Sequence, residues 1–302
     1  MAMDKEILIR PNFDAYDFKR LEYPNYRVER LISEAMHAFD NQYTLSDVCA
    51  SEILDAVSVG KDRCIINGNE RIPEIEIDIK KSKFDPETDG KFIEMYKDGS
   101  CHIEITLGFM TLAKNRDIAI AEVSSSVSHE LMHTNIFKKR YEREQILNDK
   151  PADYENVVSA MRATSPSSNT GMFSRALYVS YYHEAQSFIS QGWPETKRNM
   201  LEDPIVNYFG WTENQYFTMQ VMKTDTFKTL SNNIKIYEKL SENNRLAENI
   251  SKELGSFGIS ISPTNVLSTA KKIADKSEKW IRDLFNNAWY YYRLEVDKEE
   301  KK

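Results

Sequence analysis

The hydrophobic period changes along this chain, and the change limits the fold more than any single residue does. In "PEIEIDIK" (73–80), Ile75, Ile77 and Ile79 alternate with acidic residues. In "SCHIEITLGFM" (100–110), Ile103, Ile105 and Leu107 alternate with polar ones. Period-two alternation predicts half-buried strands. The turn-rich stretch "KFDPETDGK" (83–91) separates the two. From Asp117 the apolar residues Ile120, Val123, Val127 and Leu131 recur at helical spacing.

Helical spacing also marks "YRVERLISEAMHAFDN" (26–41), with a stripe from Val28 to Phe39, and the shorter "SDVCASEILDAV" (46–57). "TSPSSNTGM" (164–172) predicts a loop, and "FSRALYVSYYHEAQSFIS" (173–190) a helix that "QGWP" stops. After residue 212 nearly everything has a helical pattern. The last helix starts at Pro263 behind Ser262 as N-cap, with a stripe of Val266, Ile273, Trp280, Ile281, Leu284 and Ala288. No repeat or low-complexity linker divides the chain. One domain over 1–302 is expected, with a mixed lobe at 1–163 and a helical lobe at 164–302, an α+β class.

Acidic residues (47) outnumber Lys and Arg (40), and no segment concentrates basic charge, so nucleic acid is not an expected partner. No apolar run approaches the roughly 20 residues that span a bilayer, and no membrane partner is expected. The N-terminal residues lack the pattern of a secretory signal. Three widely spaced cysteines, Cys49, Cys64 and Cys101, suit neither a disulfide framework nor a thiolate zinc site. A cytoplasmic setting is the expectation, or a virion-associated one for a phage-encoded chain. The oligomeric state is left open.

Within the helix from Asp117, "SHELMH" (128–133) places His129 and His133 four residues apart, where both imidazoles can converge on one ion. At about 100° per residue, His129 lies away from the Val127 stripe. The adjacent Glu130 can take a proton from a metal-bound water. A catalytic zinc needs a third protein ligand. The extended pattern that adds a histidine six residues on fails, because position 139 is Lys, and Glu142 and Glu144 continue the same helix away from the site. "YYHEAQS" (181–187) gathers Tyr181, Tyr182, His183 and Glu184 on another helix.

The pair "HELMH" and "HEAQS" resembles the gluzincins, the thermolysin-like zinc metallopeptidases, whose third ligand is a glutamate in an Asn-Glu-Ala-x-Ser-type helix. The resemblance implies a zincin-like α+β fold and Zn2+ held by His129, His133 and Glu184, with His183 as the rival third ligand. It implies a peptide or protein substrate extended along the 101–108 strand, which begins beside His102. Tyr181, Tyr182 and His183 are the candidates to steady the oxyanion of the tetrahedral intermediate. The family often has an acid four residues after the third ligand, and this chain has Phe188 there. The resemblance covers the 101–108 strand and two helices, a minority of the chain. A catalytically inactive zincin-like protein with a structural or interaction role is the alternative expectation.

Overall fold

The computed structural model describes residues 7–9, 45–68, 74–96, 98–144, 154–180 and 182–299. It is an α+β structure in which one small sheet precedes a long series of helices. The helical stripe expected at 26–41 lies outside the described residues. The chain divides into two compact units. Among the described residues, the first holds the sheet, the helices at 45–58 and 116–144 and Trp193–Tyr216; the second holds those from 154 to Gly192 and from Phe217 onward.

In the first unit, β1 (Ile7–Ile9), β2 (Arg63–Ile66), β3 (Ile75–Lys81), β4 (Asp89–Tyr96) and β5 (Cys101–Leu107) form one sheet in the order β1-β4-β5-β3-β2. Only β3 and β5 run parallel, with Ile77 opposite Ile103 and Ile79 opposite Ile105. β4 and β5 form an antiparallel hairpin whose turn uses Gly99 at φ 86°. The alternation seen in the sequence is the alternation of faces. Ile75, Ile77, Ile79, Ile103, Ile105 and Leu107 are buried on one side. Glu76, Asp78, Lys80, His102 and Glu104 occupy the other, where Lys80 pairs with Glu104 at 2.6 Å. His102 Nε2 lies 2.9 Å from Asp78 Oδ2, so this histidine belongs to the polar face of the sheet.

Strand β4 escapes the period-two pattern because a register irregularity between Phe92 and Glu94 breaks its alternation. Its presence corrects the expected position of an extended substrate. β5 has β4 on one side and β3 on the other, so its backbone groups are already paired and it cannot accept another strand. Among the described residues, β1 pairs only with Met95 and Tyr96 of β4, and the 89–94 stretch has that edge open.

Helix α1, described over 45–58, and α2 (Arg116–Glu144) complete this unit together with residues 193–216. Val123, Val127 and Leu131 of α2 are buried as the stripe predicts, while Ile120 is only half-buried. Each such aliphatic side chain contributes roughly 1.5–3 kcal/mol. Burial does not stop at the stripe, since every residue from Ala121 to His133 is buried. "SSSVS", poor in helix propensity, supplies small side chains to a helix enclosed on all sides. Ser126 Oγ donates to the Thr88 carbonyl at 3.2 Å.

The second unit contains α3 (Tyr154–Ala163), α4 (Asn169–Ser180), the first half of α5 (Tyr182–Glu202), the end of α6 (Glu213–Lys223), α7 (Asp225–Glu242), α8 (Asn244–Gly255) and α9 (Pro263–Glu299). Val157, Phe173, Leu177, Ile236, Leu240, Ile250 and Ile273 belong to its core. Ser262 caps α9 as expected, accepting from the Asn265 amide at 3.2 Å. In the aromatic run near the end of α9, Trp280 and Tyr291 are buried and Tyr290 is exposed, while Trp289 lies 4.9 Å from Phe217 and Phe285 6.0 Å from Phe227.

Two expected boundaries are corrected here. "QGWP" does not stop α5, which continues through Pro194. A proline inside a helix costs about 3 kcal/mol, and buried neighbours on both sides, Trp193, Glu195 and Thr196, offset it. The 164–172 loop is shorter than expected because Ser168 caps α4, its Oγ accepting from the Gly171 amide at 3.0 Å. Gly171 is required there: a Cβ would lie 2.0 Å from the Ser165 carbonyl oxygen. Backbone cannot yield cheaply, so Gly171→Ala is expected to lower unfolding free energy by about 2 kcal/mol or more in urea titrations.

Candidate metal centre

The centre is built from α2 and β4. Helical spacing stacks His129 and His133 on consecutive turns, with ring centroids 4.9 Å apart in an edge-to-face arrangement. Glu130 joins them, and one ligand atom from each of the three lies within 4.8 Å of the others. All three are buried: 9% of His129, 5% of Glu130 and 5% of His133 is exposed. Two imidazoles and a carboxylate are a donor set that zinc takes, and other divalent first-row metals accept it too.

β4 runs beside this trio. Phe92 lies 6.3 Å from the His133 ring, centroid to centroid. Gly90 faces Glu130 so closely that a Cβ on it would stand 2.8 Å from both Cγ and Oε1 of that glutamate.

A buried polar network fixes the same stretch of chain. Thr111 Oγ1 donates to Glu122 Oε1 at 2.5 Å, Lys114 Nζ donates to Glu122 Oε2 at 2.6 Å, and the Thr88 and Thr111 hydroxyls are 2.8 Å apart. Lys114 also reaches Glu202 at 3.2 Å. Burial pulls the Lys114 pKa down, but hydrogen bonds and charge from Glu122 and then Glu202 outweigh it, leaving the pKa above the ordinary lysine value. A raised pKa means the stabilisation is fully present below the unfolded-state lysine pKa and is lost as pH rises through the folded one. Lys114→Met should cost about 2 kcal/mol, less than the roughly 3–5 kcal/mol of a fully buried broken pair, because Lys114 touches solvent. Urea titrations should show that deficit at neutral pH and its shrinkage in strong alkali.

Glu184 is on α5 in the second unit and is only 1% exposed. It is not one of the clustered trio. Tyr181 lies outside the described residues, as do the side chains of Tyr182 and His183. Phe188, at the position where the resemblance leads one to expect an acid, packs edge-to-face on Tyr178 with centroids 6.5 Å apart.

The three cysteines are free thiols. Burial, then the neighbouring thiols of Cys101 and Cys64, push the Cys49 pKa upward, and burial raises that of Cys64 to about 11. Neither Cys49 nor Cys64 is poised as a thiolate ligand or nucleophile by these shifts.

Gly90 and the polar network were not singled out from the sequence. A signal was nevertheless present, since Glu122, Ser126 and Glu130 recur every four residues along α2. Comparison with protein-family models, with curated proteins and with solved structures gives no match.

Proposed function

We propose that the chain is a zinc-dependent metallopeptidase that hydrolyses peptide bonds, with a zincin-like arrangement around α2. The observation that carries this reading is the buried convergence of His129, Glu130 and His133. His129 and His133 would hold the ion, with Glu184 as third ligand by resemblance to the gluzincins and His183 as its rival. When bound, the metal supplies Lewis acidity, activating water and polarising a carbonyl oxygen.

Glu130 acts as general base, taking the proton of the attacking water and passing it to the leaving amine. Its enclosure by β4 excludes bulk water from that proton. Tyr181, Tyr182 and His183 are the groups proposed to donate to the oxyanion. The peptide lies along the 89–94 edge of β4, open among the described residues, rather than along β5, adding a strand beside Gly90. The Gly90 amide donates at 2.9 Å to the exposed Asp89 carboxylate. A substrate carbonyl would take the place of that side chain.

Hydrolysis of an unstructured protein substrate tests the reading. Activity is expected to vanish with a chelator and return with stoichiometric zinc; activity that survives complete metal removal refutes it. The near-complete burial of all three residues also favours a second reading, a structural metal in an inactive protein. Stoichiometric metal without hydrolysis of any peptide library would establish that alternative.

A further inference from the structure

A helix rises about 6 Å over four residues and a strand about 6.6 Å over two, so aligned elements stay in step at those intervals. Ser126 and Glu130 of α2 show this match against Thr88 and Gly90, and His133, three residues further on, stays close to it. Ser126 bonds the Thr88 carbonyl, Glu130 abuts Gly90, and His133 neighbours Phe92. Outside this interval, Glu122 ties the same Thr88, at its hydroxyl, through Thr111. The strand is thus held on both sides of position 90. Gly90 alone in this row has no side chain, and Glu130 fills the space a side chain would take.

We infer that Gly90 is the positioning residue for Glu130: by leaving this space in a strand clamped to α2, it determines where the carboxylate of the proposed base stands. No positive φ compels glycine at this position. Gly90 pairs with Ile105 in antiparallel register, and the three atoms nearest an added Cβ all belong to the Glu130 side chain. The contact accounts for a glycine where a strand-forming residue would otherwise be favoured.

The catalytic part of this inference rests on the peptidase reading, whereas the contact itself does not, and the experiment separates them. In the full-length chain, Gly90→Ala is expected to retain metal and to keep KM within about twofold while kcat falls tenfold or more, because misplacing a proton acceptor weakens the chemical step rather than binding. In parallel, Gly90→Ala should lower Tm by about 4 °C in the wild-type background. In a Glu130→Ala background, which removes both clashing atoms, it should lower Tm by less than about 1 °C. Equal losses of Tm in the two backgrounds, or a Gly90→Ala enzyme with unchanged kcat, overturn the inference. A wild-type chain that hydrolyses nothing overturns the peptidase reading alone, and the Tm cycle still decides whether Gly90 sets the place of Glu130.

Discussion

Glu130→Gln is expected to keep a full complement of metal and lose peptide hydrolysis by at least 10²- to 10⁴-fold in kcat, the range a general base contributes. Glutamine has the same length and volume, so it fits the space against Gly90 and leaves the packing of β4 on α2 intact. What it removes is the capacity to accept a proton. Metal content by elemental analysis, Tm and kcat on one preparation distinguish the outcomes. Retained metal and Tm with lost turnover support the base assignment. Undiminished turnover removes Glu130 from the chemistry and, with it, the proposed mechanism.

The second large effect concerns the ligands. His129→Ala and His133→Ala should each weaken metal binding by more than about a hundredfold, since even groups behind a ligand are worth 10- to 100-fold. Competition titration with a chromophoric chelator reads this directly. Glu184→Ala and His183→Ala then decide the third ligand. The proposal expects the first to release metal as the histidine variants do and the second to retain it. The reverse pattern would make His183 the ligand, and retention by both would exclude the "HEAQS" helix from the site. The burial of Glu184 makes Glu184→Gln a useful companion, because it preserves volume while removing the charge.

The places where periodicity failed share a physical cause. It located β3, β5 and the stripe of α9 because each has a regular buried face, and α2 because its apolar residues keep helical spacing although burial extends beyond that stripe. It missed β4, where an irregularity shifts the phase, and β2, a four-residue strand at the sheet edge. It ended α5 too soon because Pro194 carries a local penalty that only the burial of Trp193 and Thr196 outweighs. The serines before His129 gave no sign of function, because small residues earn their place only when something packs against them.

At the site, spacing alone put His129 and His133 on one side of a helix with Glu130 beside them, since helical geometry at short range is contained in the sequence. That was enough to specify a potential metal-binding trio. The tertiary structure decided that the trio is buried, that β5 lies inside the sheet while β4 runs beside Glu130, and that the space at Gly90 holds the carboxylate. Those facts depend on strand order and on which backbone passes so close to a side chain 40 residues away that an added Cβ would stand 2.8 Å from it. Local periodicity carries no record of such long-range pairing, which forms only when the apolar faces of sheet and helix are buried together.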